Sequence, residues 1–230
     1  MSLNLSTSIG LLERDAWELT DQAYVTLEDK YGKHGETPKP YHNEQHARDV
    51  VRASMAIANL VLYAKGGRKI DREDKITLIL AAAYHDYEQN LGSGQNERVS
   101  AAIASNDIHK AHLALSSPWR VTNAILATQM KDQDGAIRQS ADEDDYVAKI
   151  LADADLSNLG APTEVFQKQS GKLFNERLTE DVDLDIKDFL HYQTKLLTDH
   201  AWYTPEAARL FPHQEENLAF VQTQLAKLTK

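Results

Sequence analysis

No cysteine occurs in this chain of 230 residues, so disulfides, thiolate zinc sites and cysteine nucleophiles are excluded together. Any metal must be held by His, Asp and Glu. Basic residues are in deficit: 35 Asp and Glu against 25 Lys and Arg leave a formal net charge of -10. A field of that sign repels a long phosphate backbone and argues against a nucleic-acid polymer as partner. A small phosphorylated ligand stays open, because a bound cation inverts the local electrostatics. No apolar run approaches the length of a bilayer span, so no membrane partner is expected. The opening MSLNLSTSIGLLERDAW has neither a basic stretch nor a sustained apolar one, so no signal peptide and a cytoplasmic location are expected. Met1-Ser2-Leu3 is compatible with a cloning remnant. Alternating strand patterns, internal repeats and low-complexity linkers are also missing.

What is present is helical periodicity. Leu12, Ala16, Leu19, Ala23 and Leu27 follow the spacing of one helical face. Val50, Ile57, Val61 and Ala64 do the same and stop at Lys65-Gly66-Gly67. Residues 74–84, DKITLILAAAY, are apolar almost all round, the mark of a helix at the centre of a core. Ser116-Ser117-Pro118 predicts a capped helix reaching about Met130, with proline in its first position. The acids Asp142 to Asp145 suit the first turn of a helix running to Leu159. Ala161-Pro162 and Thr204-Pro205 open two more, with a helix near 184–200 between them. The expectation is one all-α domain over residues 1–230, long enough to bury a sizeable core.

Certain polar residues stand where such helices must pack. YHNEQHARDV, residues 41–50, sets His42 and His46 four apart, on one face if the helix starts at Asn43. By itself that spacing is more often explained by a solvated helix face. His85 and Asp86 end the apolar run, where a buried charge needs a partner or a metal. In LADADLSNLG, 151–160, Asp155 shares the inward face of Ala148 and Leu151. Asp153 is its rival, but about 100° of rotation per residue points it to nearly the opposite side. His46, His85, Asp86 and Asp155 together make a two-imidazole, two-carboxylate set. Such a set suits a divalent ion such as Mn, Co, Ni, Zn or Mg, with positions left for water.

The order His46, His85-Asp86, Asp155 resembles the H…HD…D signature of the HD superfamily of metal-dependent phosphohydrolases. YHNEQHARDV is similar to the YHNxxHAxDV motif of cyclic-nucleotide phosphodiesterases, and ADLSN to the segment carrying their last metal-ligating Asp. These motifs span 41–160, while HDYEQN…NERVSA at 85–102 is similar to small bacterial members of the superfamily. The resemblance implies an HD-type helical bundle in which His46, His85, Asp86 and Asp155 bind the metal. It also implies that His42 protonates the leaving oxygen, a role suited to an imidazole that exchanges protons near neutral pH.

Several further residues carry two readings. Glu97 is a candidate for polarising the attacking water, and equally a first-turn acid favoured by the helix dipole. Asn96 and Lys131 are candidate substrate contacts. Asn96, or Ser93, reads better as a cap after the turn Gly92-Ser93-Gly94, and solvated faces are the norm for bases such as Lys131, Arg48 and Arg52. Gln89 stands where the phosphodiesterases have a further His, and ILATQMKD offers Gln129, Met130 and Lys131 where dinuclear members have more. One tight ion is therefore expected. His109 and His112 read as surface residues, and the DEDD run at 142–145 as a solvated helix start.

The function expected is hydrolysis of a small phosphate ester, a nucleotide by preference, by metal-activated water with His42 as general acid. A cyclic-nucleotide phosphodiesterase is the runner-up. A non-catalytic regulatory or ligand-binding module with a structural metal is the rival from another class, and a homodimer is allowed by either reading. A dinuclear iron oxygenase on the same fold is disfavoured by the missing histidines.

Overall fold

A computed structural model describes residues 5–63, 70–92, 94–133, 135–142 and 144–228. Met1-Ser2-Leu3, Ala64, the helix end at Lys65-Gly66-Gly67, Ser93 as a cap and Glu143 of the acidic run lie outside the described residues. Among the described residues the fold is all-α apart from one short hairpin. Among the described residues no helix is long and apolar enough to cross a membrane.

The apolar run forms α3 (Arg72–Tyr84), and it is the core of the molecule: Ile76, Leu78, Leu80 and Ala81 to Ala83 are completely or almost completely buried. Asp71 starts it by accepting the Asp74 N–H while the Asp74 carboxylate accepts the Asp71 N–H, so two otherwise orphaned donors are satisfied. Around α3 pack α1 (Leu5–Tyr31), α2 (Glu44–Tyr63), α4 (Gln95–Lys110), α5 (Trp119–Ala127) and α6 (Tyr146–Asp155). The expected faces are the ones that pack: Ala16, Leu19, Ala23 and Leu27 from α1, and Val50, Ile57 and Val61 from α2. Each large aliphatic side chain buried this way contributes about 1.5–3 kcal/mol.

A second cluster, including Leu159, Phe166, Leu190, Leu196, Leu197 and Val221, lies beneath α7 (Thr163–Glu180), α8 (Ile186–Asp199) and α10 (Gln214–Leu228). The short α9 (Pro205–Leu210) packs on the first cluster through Ala207. Met130, Leu156 and Tyr192 pack against the second cluster and also face the cavity described below.

Four boundaries differ from expectation. α5 ends at Ala127 rather than near Met130, because the Ser140 N–H takes the Ala127 carbonyl and the chain turns into a hairpin. Its strands β1 (Met130–Gln133) and β2 (Ala136–Gln139) pair antiparallel, with Met130 opposite Gln139. Four-residue strands are too short to show alternation, although Asp134-Gly135 is a hairpin turn signal, with Gly135 at φ 83°. α6 is preceded by its acids rather than opened by them: Asp145 caps it, accepting the Val147 and Ala148 N–H groups. It stops at Asp155, where a 3-10 turn (Ser157–Gly160) takes over. Pro118 likewise sits at the cap of α5, not within it, and the Ser116 and Ser117 N–H groups bond to Glu73.

Candidate metal centre and its cavity

His46 is delivered by the first turn of α2. That helix begins at Glu44, so His42 lies in the bend before it rather than on its face. Asn43 makes the start, its Oδ1 accepting the N–H of Gln45 at 3.0 Å and of His46 at 3.4 Å. The two imidazoles are still neighbours, with ring centroids 5.7 Å apart and edge to face. His85 and Asp86 follow the last residue of α3, and Tyr31 at the end of α1 pins the segment beyond them. The Tyr31 hydroxyl accepts the Gln89 N–H at 2.9 Å and donates to Glu88 at 3.2 Å. Asp155 closes α6.

These four side chains converge. One donor atom from each of His46, His85, Asp86 and Asp155 lies within 4.8 Å of the other three. His46 Nε2 stands 3.2 Å from Asp155 Oδ1, 3.3 Å from Asp86 Oδ2 and 3.3 Å from His85 Nε2. His85 Nε2 stands 3.2 Å from Asp86 Oδ2 and 3.4 Å from Asp155 Oδ1. Donors bonded to one divalent ion at about 2.0–2.2 Å are separated by about 3 Å, so the spacing is that of a coordination shell. Two observations test the fit. The His85 Nδ1–H donates to the Ala82 carbonyl at 2.8 Å, which turns the Nε2 lone pair toward the His46 Nε2. Asp86 Oδ2 is buried and has no hydrogen-bond partner. A cation between the four groups relieves both, so the residues present fit a metal ion.

Each carboxylate is also aimed. Gln89 donates to Asp86 Oδ1 at 2.8 Å and Gln139, from β2, donates to Asp155 Oδ2 at 2.7 Å. The opposite oxygen of each carboxylate is the one left facing the imidazoles. The electrostatics agree in direction. Burial alone would lower the His46 pKa, but the Asp155 hydrogen bond and the Asp86 carboxylate beside the ring push it up to about 9. His85 is raised well above its ordinary value against the same burial, chiefly by the Asp86 charge. Burial would raise both carboxyls, yet His85 and His46 hold Asp86 well below its ordinary value, and His46 and His85 hold Asp155 below its own. The cluster holds positive charge: protons where no ion is bound, and an ion that displaces them where one is.

Asp153 is not part of it. It is fully buried on the other side of α6, accepting the Tyr203 N–H at 2.8 Å, the Thr204 N–H at 2.9 Å and the Thr204 hydroxyl at 2.6 Å.

A cavity of about 720 Å³ opens on Asp86 and Asp155, and His42, Asn96, Glu97 and Lys131 line it with them. Within that cavity Glu97 accepts the Gly94 N–H at 2.7 Å, and Asn96 Oδ1 accepts the Leu91 N–H at 2.9 Å. Gly94 itself starts α4 at φ 80°, close against the Gln129 amide, where a side chain is strained. Lys131 is exposed on β1. Arg48 pairs with Glu44 and lies 4.0 Å over the Tyr24 ring, while Arg52 pairs with Asp49 at 2.6 Å. His109 and His112 are exposed near the end of α4, far along the helix from Glu97.

Glu176 is the site residue that sequence reasoning missed most completely. It stands on α7, 2 % exposed, and binds the His42 Nδ1 through Oε1. Its Oε2 accepts the backbone N–H of Tyr41 at 2.8 Å and of His42 at 2.9 Å. Burial would raise its pKa, but the His42 hydrogen bond and charge and the two backbone donors hold it below the ordinary value. No spacing marked it, because at about 100° per residue Glu176 stands well around the helix from the buried Phe166 and Ser170. Comparison of the chain with protein-family models and with curated proteins returns no match.

Proposed function

We propose that the chain is a metal-dependent phosphohydrolase of the HD type, acting on a small phosphate ester such as a nucleotide. The observation that carries this reading is the convergence of His46, His85, Asp86 and Asp155 at coordination spacing, beside a cavity lined by a further, independently oriented imidazole. A divalent ion held there supplies a Lewis acid and a water acidic enough to act near neutral pH.

The chain's own residues do the rest. Glu176 grips both the His42 ring and the backbone that carries it, so the imidazole cannot swing. With Nδ1 engaged, Nε2 is the nitrogen left to hand a proton to the departing oxygen. Gln89 and Gln139 keep Asp86 and Asp155 in place without occupying the oxygens that face the imidazoles. The cavity volume, about 720 Å³, matches a ligand of nucleotide size, and Lys131 and Arg177 stand on its wall beside acids that include Glu97 and Asp132, while Lys39 is paired with Glu180.

His42→Asn decides between this reading and a binding module. The variant is expected to keep its metal and fold while turnover falls by roughly a hundredfold, the scale for losing a positioned general acid. The loss should shrink on p-nitrophenyl esters, whose leaving group departs with little protonation. Metal loss in the variant, or no hydrolysis of any phosphate ester by metal-replete wild type, would sink the hydrolase and leave the module.

A further inference from the structure

Arg177 follows Glu176 on α7 and lines two cavities at once. One is the wide cavity over Asp86 and Asp155; the other, of about 150 Å³, also reaches His42 and Asp155. Its guanidinium carbon lies 4.2 Å from the centroid of the Tyr192 ring. Among the described residues no carboxylate pairs with it and its side chain makes no hydrogen bond. The neighbouring cations differ. Lys39 is buried against Glu180, and Lys131 is exposed on the hairpin. A guanidinium laid on an aromatic face has its plane fixed while every N–H donor stays free, which is the arrangement that suits bidentate capture of a phosphoryl group.

The number of phosphoryl oxygens gives Arg177 a specific consequence. A phosphodiester has two non-bridging oxygens, while a monoester has three and carries one more negative charge. An ion held by Asp86 and Asp155 would take one of these oxygens, and the planar fork of Arg177 needs two. We propose that Arg177 binds the non-bridging oxygens of the substrate's phosphoryl group and makes a dianionic phosphate monoester, rather than a diester, the preferred substrate. The proposal rests on the phosphohydrolase reading and deepens it.

The test has a part that needs no activity. Inorganic phosphate is titrated into the metal-free chain and followed by phosphorus NMR in wild type, Arg177→Met, Arg177→Lys and Lys39→Met. Arg177→Met should weaken phosphate binding by about tenfold or more, with Arg177→Lys recovering part, because an ammonium lacks the planar fork. Lys39→Met should change it far less. In the metal-loaded chain, Arg177→Met should cut kcat/KM for p-nitrophenyl phosphate about tenfold more than for bis(p-nitrophenyl) phosphate, with metal content unchanged. Unaltered phosphate affinity in Arg177→Met, or equal losses on the two esters, overturns the proposal. Should Arg177→Met fail to fold, Tyr192→Leu keeps the charge but removes its platform. A drop in phosphate affinity there, absent from Tyr192→Phe, supports the proposal, and no drop overturns it. If the metal-loaded wild type cleaves no ester while phosphate binding still depends on Arg177, the hydrolase reading falls and the anion site stands.

Discussion

Asp153 and Asp155 stand on one helix with opposite surroundings. Asp155 turns Oδ1 toward His46 and His85, and those imidazoles keep its carboxyl below the ordinary range. Asp153 faces the loop before α9, and burial pushes its pKa up to about 6 although Thr204 and Tyr203 donate to it. Asp155→Ala is therefore expected to abolish metal retention. Asp153→Ala should keep the ion but lose about 1–3 kcal/mol of stability, because buried N–H groups of Tyr203 and Thr204 lose their acceptor. Metal analysis after gel filtration and urea denaturation of both variants check this; equal metal loss in two folded variants contradicts it. At this scale helix phase made the choice between the two acids legible from residues 148–155 alone. The residues that orient the site were not legible. Glu176 meets His42 from 134 positions away, and Gln139 reaches Asp155 from a strand too short to be recognised.

At the scale of elements, the junction between α8 and α9 carries a titration that the fold imposes. His200 ends α8, donating its N–H to the Leu196 carbonyl at 2.9 Å, while its own carbonyl accepts from Gln214 at 2.8 Å. The ring stands edge-on to Trp202, centroids 4.5 Å apart, and Nε2 is shut off from solvent without a partner. Burial lowers its pKa to about 4. An unfolded histidine titrates near about 6.5, so between those values the unfolded chain binds the proton that the folded chain refuses. Stability from this group is complete above the unfolded value, declines as pH falls toward about 4, and is lost below it. Going from pH 7 to 5, the metal-free wild type should lose up to about 2 kcal/mol more than His200→Phe, which keeps the aromatic contact but cannot titrate. Urea denaturation at both pH values measures the difference, and identical slopes would show that the ring's burial is not responsible. Element existence was well signalled in α1, α2 and α3, where apolar periodicity coincides with burial in one core. Element ends were less so. The ILATQM stretch has nothing local to stop a helix, and the Ser140 N–H that takes the Ala127 carbonyl comes from just past the far strand of the hairpin.

For the whole molecule, the four donors tie together α2, the end of α3 and the end of α6, with His46 and Asp155 109 residues apart. A chain without cysteine has no disulfide to make such a link, and an ion bound here would supply one. The donors also sit where the helices pack, which means that unfolding separates them and forfeits the binding free energy. An ion present at a thousand times its dissociation constant then stabilises the native state by about 4 kcal/mol. For a chain of 230 residues this corresponds to a Tm rise on the order of 10 °C. Titrating metal-free protein with Mn or Co in a thermal melt should show that rise saturating at one equivalent per chain. His46→Ala, His85→Ala, Asp86→Ala and Asp155→Ala should each remove it. His42→Asn should retain it in full, because Glu176 rather than the cluster holds that ring. Saturation at two tight equivalents would show that further side chains complete a second site. Loss of the rise in His42→Asn would instead make His42 a ligand, and the proton would then have to reach the leaving oxygen from another residue of the cavity, with Lys131 and Glu97 the first of its titratable side chains to be tried.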